Sequence, residues 1–200
     1  MPDVDCPFNL RIYKKFMDHE NIQKLVREIL LGRKDLFARL VLEFQGPVYN
    51  LALRMTGSRS EAGDLTQEIF VRAWLNLDKY DPEKKFFTWL YTLSLNLIRN
   101  HLKKTPPGPA GHYLPEQDRA EDSPLADPVK AFNQKLREED LQRLLLKLPV
   151  EQREALLLRF FKDVSYAEMA AILGVSGSCA KMRVRRGLVR LRDLGYEQRL

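Results

Sequence analysis

Cysteine is scarce in this chain: Cys6 and Cys179 are the only two among 200 residues. Two isolated thiols build no disulfide framework, and neither has a second ligand-type residue at metal-binding spacing. They fit a reducing cytoplasm. Histidine is nearly as rare, with His19, His101 and His112 in unrelated contexts. No glycine-rich phosphate loop and no nucleophile motif occurs. Paired carboxylates fall only on the polar faces of helices. These absences disfavour an enzyme, and no catalytic residue, cofactor or metal is expected. No apolar run reaches bilayer-spanning length, and residues 1–20 lack the apolar core of a secretion signal. Membrane insertion is therefore not expected, and the chain reads as a soluble, cytoplasmic protein.

What is abundant is charge and helical periodicity. The net charge is +6 and the pI about 9.3, a balance that suits a polyanionic partner. The charge is unevenly placed. Residues 1–104 carry 17 Lys/Arg against 13 Asp/Glu, residues 105–130 carry 2 against 5, and residues 131–200 carry 14 against 9. Six of the eleven prolines fall within 105–130. Proline density with few apolar residues predicts an extended acidic linker there. The expected organisation is a tail over 1–20, a helical domain over 21–104, the linker over 105–130 and a second helical domain over 131–200. The fold class is all-α, two small helical domains on a flexible tether.

Residues 165–192 carry the clearest local pattern. Ser165 and Glu168 fit a capping box, Gly174 suits a helix stop, and Ser176 can cap the next helix. In that second helix Ala180, Val184, Leu188 and Leu191 form an apolar stripe. Ser178, Lys181, Met182 and Arg185 share the opposite face, flanked by Arg183, Arg186 and Arg190. From Ser176 to Arg192 there are six Lys/Arg and no Asp/Glu. The pattern predicts a helix-turn-helix whose basic second helix enters a DNA major groove.

The first half holds two further surfaces. A helix over 58–77, capped by Ser58 and Glu61, presents Asp64, Gln67 and Glu68 on one polar edge. That edge is either plain solvation or a docking site for a basic partner. Residues 76–85 read as a loop. Residues 86–104 form a helix with Trp89, Thr92, Asn96, Arg99, Asn100 and Lys103 on one face. An aromatic ring, amides and cations together suit unpaired bases and their phosphates, while a buried Trp89 beside a wet face would look the same in sequence. Gly46-Pro47 predicts a bend or break in the preceding helical run.

DLTQEIFVRAW (64–74), FFTWLYTLSLNLIRNHLKK (86–104), LPVEQREALLLRFFKDVSYAEMAAILGVS (148–176) and the basic helix after them resemble the extracytoplasmic-function (ECF) sigma factors of bacterial RNA polymerase. The resemblance covers about residues 21–104 and 131–200. It implies binding to core RNA polymerase through the β′ clamp helices and the β flap, and action on promoter DNA. Asp64, Gln67 and Glu68 would belong to the β′-docking helix. Asn76, Lys79 and Tyr80 in the loop, with Trp89, Asn96, Arg99 and Lys103, would meet the opened minus-10 element. Ser178, Lys181, Met182, Arg183, Arg185 and Arg186 would meet the minus-35 element, with Lys181, Met182 and Arg185 at base-reading positions. An anti-sigma factor is a further implied partner. This chain departs from the family pattern at Cys179-Ala180, Met182, Gly187 and Gly63. Met182 offers no directional hydrogen bond, so it can only touch an apolar group such as a thymine methyl. The competing reading is an autonomous helix-turn-helix regulator that binds duplex DNA without polymerase.

Overall fold

The computed structural model describes residues 18–104, 139–160 and 164–197. Most of the expected tail, the acidic linker over 105–130 and residues 131–138 lie outside the described residues, as does Cys6. The described residues form helices and turns with no strand. The helices are α1 (His19–Leu30), α2 (Phe37–Thr56), α3 (Arg59–Leu75), α4 (Phe86–Lys104), α5 (139–146), α6 (Val150–Arg159), α7 (Tyr166–Leu173) and α8 (Gly177–Glu197). Short 3-10 turns occupy Lys34–Leu36 and Leu77–Lys79.

The first half is a four-helix bundle. In α1 the period Ile22, Leu25, Val26 and Ile29 is buried, and the helix starts three residues before the first periodic position, at His19. The expected interruption at Gly46-Pro47 does not occur, because α2 runs through with Pro47 inside it. Phe44 and Val48 flank the proline and are fully buried. Burying two such side chains contributes about 1.5–3 kcal/mol each, enough to offset the roughly 3 kcal/mol cost of an interior proline. Gly57 ends α2 at φ 75° and turns the chain back into α3. Ser58 accepts the Glu61 amide at 3.3 Å, as its capping position predicts. The Glu61 carboxylate does not return to the cap but lies 2.9 Å from His101 Nε2 at the far end of α4. The four helices share a core through Val26, Leu40, Leu51, Ile69, Leu90 and Ile98.

In the second half α6, α7 and α8 pack on one another around Leu156, Met169, Ile172, Val184 and Leu191. This half lies on the first. α7 packs along α4, and α6 packs at the end of α2. Gln142 of α5 donates to the Leu53 and Arg54 carbonyls, each at 3.3 Å, and Arg153 of α6 donates to the Met55 carbonyl. Those carbonyls belong to the last turn of α2, past the reach of the helix's own amides, and the Leu53 carbonyl also accepts the capping Gly57 amide at 2.8 Å.

Candidate nucleic-acid and polymerase interfaces

The helix-turn-helix forms as its capping residues dictate. Ser165 Oγ accepts the Glu168 amide at 3.2 Å, and Glu168 Oε2 accepts the Ser165 amide at 2.7 Å, a complete capping box. Gly174 turns at φ 67°. Ser176 Oγ accepts the Cys179 amide at 3.2 Å and opens α8. Ala180, Val184 and Leu191 are buried, and Leu188 packs partly against them. An added Cβ at Gly187 would lie 3.0 Å from Leu156 Cδ1, so the small residue lets α6 and α8 approach closely.

Ser178, Lys181, Met182, Arg185 and Arg186 are exposed on α8, while Arg183 is half-buried. The Ser178 hydroxyl lies 3.0 Å from that of Ser176. Met182 and Arg185 line a shallow groove with Val189 and with Gln152 of α6. Tyr166 at the start of α7 sits between two cations: Lys181 Nζ is 5.4 Å and the Arg159 guanidinium 5.3 Å from its ring centre. Arg159 Nε also donates to the Tyr166 hydroxyl at 3.2 Å. Cation–π contact of this kind is worth about 0.5–1 kcal/mol at an exposed site and biases where Lys181 points.

On α3 the residues Asp64, Gln67 and Glu68 are exposed. Glu68 receives Arg72 Nη2 at 2.8 Å, a surface pair of small energetic weight. The same face continues at helical spacing into Val71 and Leu75, which are 57% and 67% exposed. The edge is thus acidic along its first turns and apolar along its last. Its apolar end was not singled out in the sequence, although i+3 and i+4 spacing from Gln67, Glu68 and Val71 carries it.

The residues of the expected minus-10 surface are placed unevenly. Asn76 Nδ2 donates to the Arg72 carbonyl at 2.9 Å and its Oδ1 accepts Lys79 Nζ at 2.9 Å, so it ties the end of α3 to the loop. Tyr80 is turned inward at 4% exposure, with its hydroxyl donating to the Lys84 carbonyl at 2.6 Å. Burial, reinforced by Asp81, pushes the Tyr80 phenol up to about 12. Tyr80 therefore supports the loop from beneath rather than facing solvent. Trp89 is half-buried against Tyr80 and Phe86, at ring distances of 5.6 and 5.4 Å. Asn96, Asn100 and Lys103 are exposed. Arg99 is engaged: Nε and Nη2 donate to the two Glu154 oxygens at 2.6 and 2.8 Å, and Nη1 donates to Asn96 Oδ1 at 3.1 Å. The hydrogen bond to Glu154 holds the Arg99 guanidinium above its already high range, outweighing the opposite effect of burial. Glu154 itself carried no functional signal in the sequence. Among the described residues no group of three or more His, Cys, Asp and Glu side chains is placed to hold a metal, and no helix is long and apolar enough to cross a membrane.

Comparison with known proteins matches Sigma-70 region 2 to residues 40–105 and Sigma-70 region 4 to residues 138–191. The ECF RNA polymerase sigma factor SigW of Bacillus subtilis is 31% identical over 180 residues, covering 86% of this chain and 95% of SigW. The chain belongs to the ECF sigma factors of RNA polymerase. The RNA polymerase sigma-H factor of Pseudomonas aeruginosa is 30% identical over 188 residues, covering 88% of this chain and 93% of its own. Among solved structures, CnrH in complex with the cytosolic domain of CnrY shares the fold at TM-score 0.64 and 23% identity, covering 88% of this chain and 97% of CnrH. The sigma factor RpoE from Bartonella quintana, solved with the anti-sigma factor NepR, shares it at TM-score 0.61 and 24% identity, covering 79% of this chain and 95% of RpoE.

As an ECF sigma factor the protein is a transcription initiation factor that binds core RNA polymerase and directs it to promoter DNA. Both halves match sigma regions in order, which disfavours the reading as an autonomous helix-turn-helix regulator. Sigma factors regulate and are not themselves enzymes.

Proposed function

We propose that this sigma factor divides its work between its halves as follows. Residues 21–104 dock on core through Asp64, Gln67 and Glu68, with Val71 and Leu75 extending the contact, and engage the opened minus-10 strand. There Trp89 stacks, Asn96 reads base edges, and Arg99 and Lys103 hold phosphates. Asn76, Lys79 and Tyr80 shape the loop beside them. Residues 131–200 hold the minus-35 duplex. Lys181 and Arg185 donate to base edges, Met182 meets an apolar group, and Ser178, Arg183 and Arg186 engage the backbone. The acidic linker over 105–130 joins the two, so that both bind one DNA at high effective concentration. The protein works in the cytoplasm, uses no cofactor and leaves nucleotide addition to the polymerase. An anti-sigma factor that covers its polymerase-binding surfaces fits the company kept by the structural relative RpoE.

The observation that carries this reading is the exposed basic face of α8, presented by a fully capped helix-turn-helix. In vitro transcription tests it. Core enzyme with this protein initiates at a discrete promoter that core alone ignores. Arg185→Ala lowers discrimination at one minus-35 position by about 1–3 kcal/mol, measured by competition between single-base promoter variants. Unchanged discrimination removes Arg185 from the base-reading set.

A further inference from the structure

Helix α1 carries none of the residues assigned above to DNA or polymerase, yet Gln23 on it reaches the loop between α3 and α4. Gln23 is half-buried, and its Nε2 donates to the Pro82 carbonyl, 59 positions away. Helix α1 also packs against the 3-10 turn Leu77–Lys79 that opens the same loop. The loop is anchored unevenly. Leu77 and Tyr80 fix its first part in the core, at 2% and 4% exposure. Residues 81–85 bury no side chain. The place of that second part therefore depends on bonds to its backbone. Two of these are local: the Lys84 amide donates to the Asp81 carbonyl at 3.0 Å, and the Glu83 amide to Asp81 Oδ1 at 3.1 Å. They give the segment a shape without saying where it stands. Two others come from groups beneath it or outside it: the Tyr80 hydroxyl on the Lys84 carbonyl, and Gln23 on the Pro82 carbonyl. Only the Gln23 bond comes from another helix. Tyr80 also backs Trp89, so the loop and the ring expected to stack on a base share one support.

We propose that Gln23 is a positioning residue for minus-10 recognition: by holding the Pro82 carbonyl it sets residues 80–85 in place beside Trp89 before DNA arrives, and so sharpens the choice of base. Gln23 acts through the loop backbone and touches no DNA. A segment fixed beforehand loses little conformational freedom when a base is captured, and it penalises any base that would need it to move. Without the tie the segment adapts to several bases, so discrimination falls further than overall binding.

This inference rests on the minus-10 surface proposed above, and two measurements on the full chain keep the two apart. Gln23→Met keeps an unbranched side chain of similar helix propensity and removes the donor. Circular dichroism confirms that the variant is folded. Amide hydrogen exchange of the free protein is expected to be roughly threefold or more faster at Lys84 in Gln23→Met, with α2 unchanged. The second measurement is transcription by core enzyme with the full chain, from templates randomised over both promoter elements and barcoded in the transcribed part. Sequencing the transcripts gives the base preference at each position. Gln23→Met is expected to lower the preference at one or more minus-10 positions by about two- to tenfold and to leave the minus-35 preferences as in wild type. Unchanged exchange at Lys84 overturns the brace. Minus-10 preferences that are unchanged in Gln23→Met but altered in Asn96→Ala overturn the positioning role. A loss shared equally by both promoter elements is a stability effect and overturns it as well. Wild-type minus-10 preferences in both Asn96→Ala and Lys79→Ala would instead sink the minus-10 surface itself and leave the exchange result standing.

Discussion

Gly63 and Gly187 both sit inside helices, yet an alanine at each would meet different surroundings. At Gly63 an added Cβ finds nothing within 4 Å, whereas at Gly187 it finds Leu156 at 3.0 Å. Gly63→Ala should therefore raise stability by about 0.5–1 kcal/mol through helix propensity alone. Gly187→Ala gains the same propensity, but Leu156 is fully buried and cannot swing away. Overpacking costs about 1–3 kcal/mol, so the midpoint is expected to fall. Chemical denaturation of the two variants checks the opposite signs. The sequence alone reads both glycines as helix-weakening, because propensity is local and the approach of α6 to α8 is not. The same limit applies to Arg99 and Tyr80. Arg99 is expected at the minus-10 strand from its helix face and Tyr80 from the family resemblance, but the partner of Arg99 lies 55 positions away, and the inward turn of Tyr80 depends on the Lys84 carbonyl.

Among the elements, α7 and α8 were the most legible, because each carries its own start and stop signals in adjacent residues. Ser165→Ala should cost about 1 kcal/mol and loosen the presentation of α8. The loss should appear as faster amide hydrogen exchange in α7. The start of α3 was half legible. Ser58 caps it, but Glu61 answers to His101, a tertiary partner that no local spacing reveals. Pro47 shows the same override, since the surrounding core keeps α2 continuous past it. The outer face of α3 yields a prediction of its own. Val71→Asp should weaken core binding, measured by equilibrium competition for core enzyme, without lowering the denaturation midpoint, because Val71 is 57% exposed. A drop in stability instead would make Val71 a packing residue.

For the whole molecule, the two-body organisation was readable from the proline-rich acidic stretch, but the contact between the bodies was not. Nothing in the separate patterns of α4 and α6 announces that Arg99 and Glu154 meet. The contact has a pH signature. Burial alone would raise the Glu168 carboxyl, but hydrogen bonds from Lys85 and from the amide and hydroxyl of Ser165 outweigh it and hold the group below its ordinary value of 4.5. The folded chain therefore binds fewer protons at this site than the unfolded chain does at acid pH. Stability from Glu168 is present above 4.5 and is lost as pH falls below it toward the lowered value. Lys85→Ala should flatten that acid limb of a stability-versus-pH curve. Salt adds a second signature. Each phosphate contact contributes about −0.9 to the slope of log affinity against log salt, so Arg186→Ala should make the slope shallower by about one.

Arg153 reaches the first half through a main-chain oxygen, and main-chain oxygens do not change when side chains do. Whatever residue comes to stand at position 55, its carbonyl remains available to the guanidinium. The joint is thus tolerant of drift on the α2 side and brittle at a single codon on the α6 side. Burial pushes the Arg153 guanidinium down to about 10, so it stays charged at neutral pH. Lysine there keeps the charge but cannot span the Met55, Leu146 and Leu148 carbonyls, at the ends of α2 and α5, with one fork, and a neutral residue would strand them dry. Across descendants of this gene, position 153 should be the slow-changing half of the pair, while position 55 is free to wander among side chains that fill the same core.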